Sequence, residues 1–150
     1  MMELKLKDIR ENLELTQRKM ATKLGISKSY YNAFETLERI IPVKRLNDYS
    51  NLFHISFDYV FELTKHNNVT KEIKEIDRKL VGIRLKEIRK MKKLTQKQLA
   101  DILNTSQSTI SSYEKGNSLI LTAFLYQICH DFNVSADYIV GKTNTMKIIN

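Results

Sequence analysis

The sequence predicts an all-α protein made of two tandem five-helix domains. Three observations carry this prediction. Shifted by 79 positions, the chain lands on itself without a gap, so that Leu4–Thr64 lies over Ile83–Thr143. Helix breakers are scarce, with four glycines and one proline, Pro42, in 150 residues. Capping residues recur at matching places in both copies. The identical pairs run from Leu6/Leu85, Ile9/Ile88 and Arg10/Arg89 through Thr16/Thr95, Gln17/Gln96, Ala21/Ala100 and Ser27/Ser106. They continue to Glu35/Glu114, Ser56/Ser135, Asp58/Asp137 and Tyr59/Tyr138. The organisation expected is a first domain over residues 1–66, a linker over 67–80, a second domain over 81–143 and a tail over 144–150.

In the second copy, Ile83, Leu85, Ile88 and Met91 fit the buried side of a first helix. Thr95 stands at an N-cap, where its hydroxyl can accept an orphan backbone N–H. A second helix follows over Gln96–Leu103, with Leu99, Ile102 and Leu103 apolar. Ser106 caps a third helix over Gln107–Glu114, and Gly116 suits the left-handed residue beyond it. Thr122 can cap a fourth helix through Phe132. Ser135 can cap a fifth, closed by Gly141. In the first copy Thr16, Ser27 and Ser56 are the matching caps, and Pro42 fits a first-turn position. The linker's Ile73, Ile76, Leu80 and Ile83 fall at helical spacing. A packed helix and a solvated spacer with a few anchors are both open there.

Between the second and third helices, two backbones that cross steeply need a small residue, and Ala21 and Ala100 supply it. The turn needs a residue tolerant of positive φ. Gly25 fills that place in one copy and Asn104 in the other. Ile110 then plugs the core. These are the requirements of a helix-turn-helix. Each copy resembles the Xre-type, Cro and phage-repressor helix-turn-helix domain. The resemblance rests on the paired Thr-Gln-x-x-x-Ala segments, the turn, Glu35 and Glu114, and the endings Ile-Ser-Phe-Asp58-Tyr59 and Val-Ser-Ala-Asp137-Tyr138. It covers about four-fifths of the chain and implies two lambda-repressor-like DNA-binding domains.

The charge agrees. Twenty-five Lys+Arg face 17 Asp+Glu, a net charge of +8, which favours an anionic partner. The surplus is uneven. Residues 83–150 carry 10 basic against 5 acidic side chains, and residues 1–66 carry 11 against 9.

The resemblance implies that Gln17 and Gln96, opening the second helix, touch the phosphate backbone, where free helix N–H groups also favour an anion. The third helix of the second copy should enter the major groove. Gln107 suits an adenine edge, and Ser108, Ser111 and Ser112 are less selective readers. Lys97, Ser106, Lys115 and Asn117 complete the expected DNA-contacting set. In the first copy Lys28, Ser29, Asn32 and Ala33 occupy the reading positions, and Lys28 could reach guanine. That copy departs from the pattern at Tyr30, at Tyr31 in place of the apolar plug, and at Thr36-Leu37 in place of Lys-Gly. The resemblance further implies structural ion pairs, Arg10 with Glu35 and Arg89 with Glu114. Phe53, Phe132, Tyr59 and Tyr138 read as core aromatics.

The one cysteine, Cys129, leaves no internal disulfide or multi-cysteine metal site and reads as a buried apolar residue. His54, His66 and His130 lack ligand spacing. No phosphate-cradling glycine loop and no nucleophile–base pair is visible, so neither an enzyme nor a cofactor is expected. With no secretory signal and no 18-residue apolar run, a cytoplasmic location is expected, with no membrane partner. No small-molecule ligand is indicated. The leading expectation is a transcriptional regulator of double-stranded DNA, a repressor by resemblance, whose two copies imitate a repressor dimer. A second version keeps the C-terminal copy on DNA and gives Tyr30, Tyr31 and Phe34 to homodimer contact. A third uses the scaffold as a protein-interaction module, antitoxin- or antirepressor-like.

Overall fold

The structure, a computed structural model, describes residues 2–150 and contains ten helices among them. The first half holds α1 (Leu6–Asn12), α2 (Gln17–Leu24), α3 (Lys28–Glu35), α4 (Val43–Phe53) and α5 (Phe57–Val60). The second holds α6 (Arg78–Met91), α7 (Gln96–Ile102), α8 (Gln107–Glu114), α9 (Thr122–Phe132) and α10 (Ala136–Val140). Thr16, Ser27, Ser56, Thr95, Ser106 and Ser135 each accept a backbone N–H at a helix start. Each of these caps satisfies a donor that the first turn would otherwise leave orphaned. At Thr95 the cap is reciprocal, because the Gln98 side chain accepts from the Thr95 N–H.

Several local expectations need correction. Thr122 is the first residue of α9 rather than its cap; Leu121 holds that place, and the Thr122 hydroxyl donates to the Ile41 carbonyl of the other half. Pro42 is the N-cap of α4, one position before its first turn. Ile83 and Met91 are 64% and 49% exposed, not buried. The buried side of α6 is Val81, Leu85 and Ile88, and at about 100° per residue Ile83 points away from Leu85. Ile102 is likewise 40% exposed, because Leu99 of α7 and Leu103, its C-cap, are the residues that face inward.

The helical part of the linker is the first turn of α6, which begins at Arg78 behind an Asp77 cap. The rest runs without helix across the first half, where Asn47 and Asn51 both donate to the Ile73 carbonyl. The tail is also engaged, since the Ser135 N–H donates to the Met146 carbonyl and the Thr64 hydroxyl to that of Ile149.

The two halves dock through α5 and α10. The Asp137 carboxylate accepts from the Phe57 and Asp58 N–H groups, both at 2.9 Å. The Asp58 carboxylate accepts from Ala136 N–H and from the Ser135 hydroxyl, both at 2.6 Å. Residues 57 and 58 correspond to 136 and 137 in the repeat. Each copy therefore gives the other the same contact, as in an isologous dimer interface. Phe61 meets Tyr126 edge-on across the boundary at 5.5 Å, and His130 hydrogen-bonds the Phe61 carbonyl. The chain is a pseudo-dimer in one polypeptide.

Candidate nucleic-acid interface

Each half builds its site on the same internal frame. Arg89 grips Glu114 with two hydrogen bonds of 2.6 and 2.9 Å, and its third donor holds the Leu94 carbonyl. Arg10 does the same with Glu35, at 2.7 and 3.1 Å, and with Leu15. The glutamate side chains are 3% and 4% exposed, so both acids of the third helices are turned inward. Burial opposes ionisation of Glu35. Hydrogen bonds from Arg10 and Gln17 outweigh it and hold the carboxyl below its ordinary value.

With those acids inside, the outward sides of α3 and α8 carry no negative charge. Ala21 and Ala100, 2% and 1% exposed, sit where the helices cross. The turn residues Gly25 and Asn104 take φ of +71° and +55°, and Ile110 is buried. On α8, Gln107 and Ser108 are exposed, while Ser111 and Ser112 are half-buried. The Ser106 hydroxyl caps the helix and contacts the hydroxyls of Ser108 and Thr109, and Ser112 is bonded to Ser118 at 2.7 Å. Lys115 and Asn117 are exposed just past the helix. Lys97 pairs with Asp101 on the surface of α7 at 2.6 Å, with both side chains over 60% exposed.

The two glutamines differ. Gln96 spends one amide hydrogen on Glu114, at 3.1 Å. Gln17 spends both, on Glu35 at 3.1 Å and on Asn32 at 2.8 Å. A carboxamide has two N–H donors. Gln96 therefore keeps one for an outside acceptor and Gln17 keeps none, so a phosphate contact through the Gln17 side chain does not fit this arrangement. Lys28 and Ser29 are exposed on α3 and Asn32 is half-buried, whereas Ala33 is only 7% exposed and cannot read a base. Tyr31 and Phe34 are 0% and 1% exposed, which withdraws them from any contact between chains. Burial and the neighbouring Glu35 carboxylate push the Tyr31 phenol up. Tyr30 packs against Phe34 with tilted rings 4.6 Å apart, and of the three aromatics only it reaches the surface.

Two cations not expected at the site are brought to it by α6. Arg78 donates to the Asn117 carbonyl at 3.3 Å, and the Lys79 backbone lies against Gly116. Their sequence signal was weak, because they precede the repeated segment. Elsewhere, Cys129 is fully buried, and burial pushes its thiol up. Phe53, Tyr59, Phe132 and Tyr138 are half-buried against the core. Among the described residues no cluster of His, Cys, Asp and Glu has metal-site geometry, and no helix is long and apolar enough to cross a membrane.

Comparison with known proteins agrees with this geometry. Residues 6–60 match a family model described as helix-turn-helix, and residues 82–144 match one described as helix-turn-helix domain. The chain is similar to antitoxin PezA of Streptococcus pneumoniae, 40% identical over 63 residues, covering 42% of this chain and 40% of that protein. It is also similar to the HTH-type transcriptional regulator ImmR of Bacillus subtilis, 37% identical over 67 residues, covering 45% of this chain and 53% of that one. The chain thus spans about half the length, or less, of these curated relatives. A solved structure of the clp gene regulator ClgR from Corynebacterium glutamicum overlaps 43% of this chain and 84% of its own, at 25% identity and a TM-score of 0.39. The chain carries two Xre-like helix-turn-helix domains in tandem, one in each half.

Proposed function

We propose that the chain is a sequence-specific transcriptional regulator of double-stranded DNA, a repressor, acting in the cytoplasm without catalysing a reaction. The observation that carries this reading is the outward face of α8. It is polar, uncharged and exposed at Gln107 and Ser108, and it is followed by Lys115 and Asn117. A helix of that kind fits the major groove, where glutamine pairs with adenine edges and lysine holds phosphate. Ser111, Ser112 and the free hydrogen of Gln96 add polar contacts, with Lys97 and Ser106 at the margins. The α3 face offers Lys28, Ser29 and the amide nitrogen of Asn32 to a second, different half-site.

Docking through α5 and α10 supports one chain reading two half-sites, a task that symmetric repressors need two chains to perform. Selection of bound duplex from a random pool, by the full chain, tests the reading. An enriched site is expected, with unlike halves and a one-to-one complex. Equal, weak binding to every sequence at moderate salt would overturn it.

The likeness to PezA keeps a protein-interaction role in view. Under that reading, changing Gln107 and Ser108 to alanine leaves binding of the partner untouched. Under the DNA reading the double change abolishes base preference.

A further inference from the structure

The first helix of the second half is longer than its counterpart. α1 starts at Leu6, while the equivalent Leu85 already lies in the third turn of α6. The added turns cross the C-terminal end of α8 at close range. A Cβ on Gly82 would collide with the Tyr113 carbonyl and meet that of Glu114 at 2.6 Å, and one on Gly116 would meet Lys79 at 2.9 Å. Both crossings therefore need glycine. They place Arg78 and Lys79 beside the segment that follows the recognition helix. Arg78, Lys79, Lys115 and Asn117 are all exposed. The segment is rigid: Lys115, Gly116 and Asn117 each donate a backbone N–H back into α8, and Ser118 is bonded to Ser112. Of the nearby acids, Asp77 is turned onto the amides of its own helix, and Glu75 and Asp48 border a polar cleft that Arg78 also lines, where Lys44 and Lys74 offset their charge.

We propose that Arg78 and Lys79 form a phosphate clamp with Lys115, gripping the DNA backbone at the end of the site read by α8. The proposal rests on the DNA-binding reading above. Three cations on two elements locked together by glycine contacts give a fixed basic ridge, and a ridge of this kind complements the regular spacing of duplex phosphates. One Arg78 donor is held by the Asn117 carbonyl, which orients the guanidinium and leaves its remaining donors free. The clamp adds affinity and register without base preference.

The test is the salt dependence of binding to the selected duplex, for the wild-type chain and for Arg78→Gln/Lys79→Gln, which keeps good helix formers. The slope of log K against log salt should become shallower by about 1 for each cation removed, with base preference unchanged. Neutral methylphosphonates at the phosphates flanking the α8 site should weaken the wild type strongly and the double variant, which keeps only Lys115 of the clamp, much less. The wild-type half of that arm is informative without any variant. An unchanged slope, lost base preference, or indifference of the wild type to the neutral linkages overturns the clamp while the regulator reading stands. Failure of the wild type to select any sequence overturns both.

Discussion

At the residue scale, the buried ion pairs and the close glycine decide most. Arg89 is 8% exposed and spends its donors on Glu114 and Leu94. Removing Glu114 strands that cation without water, and a buried pair broken on one side costs about 3–5 kcal/mol. We expect Glu114→Ala to lower stability by about that much in urea unfolding. Arg89→Ala/Glu114→Ala should lose less than the two single changes summed. Gly82 gives a sharper case. Alanine is the better helix former by about 1 kcal/mol, yet its methyl would strike two backbone carbonyls that cannot swing aside. Overpacking of this kind costs about 1–3 kcal/mol. Gly82→Ala should therefore melt below the wild type, and a rise in melting temperature would contradict the close crossing of α6 and α8.

At the element scale, the two third helices end differently for a physical reason. Gly116, at φ +74°, follows α8 with Lys79 pressed against it, whereas Leu37 holds φ +62° at the corresponding place after α3. A left-handed conformation costs a side-chain-bearing residue about 1–2 kcal/mol, and glycine escapes that cost. Leu37→Gly should then stabilise the first half, less whatever packing its half-buried side chain supplies. Gly116→Leu should destabilise the second through both strain and clash. Thermal unfolding of the two variants settles the order. Capping follows the same logic: Ser106 holds the first turn of the recognition helix, and Ser106→Ala should cost about 1 kcal/mol, with DNA affinity falling as that turn frays.

At the scale of the whole molecule, docking depends on two carboxyl groups buried face to face across the repeat. Burial raises Asp137 to about 8, aided by the charge of Asp58, and burial raises Asp58 as well despite its hydrogen bonds. The pair is best held with a proton between them. Their folded values lie above those of the unfolded chain, so the folded state binds more protons between the two. Stability from this pair is thus fully present below about pH 4 and is lost as pH rises toward 8. Urea midpoints should fall across that window and flatten above it. Asp137→Asn should remove most of the slope, and a midpoint that rises from pH 5 to 8 in the wild type would contradict the buried pair.

Much of this was legible in the amino acids alone. Thr16, Ser27, Thr95 and Ser106 mark helix starts by hydroxyl chemistry, and Ala100, Asn104 and Ile110 mark the turn, because each requirement there is local or recurs at a fixed spacing. The repeat made the second reading a check on the first. Ile83 and Met91 misled because an apolar residue near a helical stripe carries no label for which side faces the core. The linker and tail stayed unread because their partners, the Asn47 and Asn51 amides and Ser135, lie far away in sequence. The same limit hid the exhausted donors of Gln17, the withdrawal of Tyr31 and Phe34 into the core, and the arrival of Arg78 and Lys79 at α8. The sequence by itself determined the helices, the six hydroxyl caps and the twofold plan, which depend on neighbours within a few residues. Only the tertiary structure decided which side chains keep a free donor or a free face, because burial and hydrogen-bond occupancy are properties of contacts made across the chain.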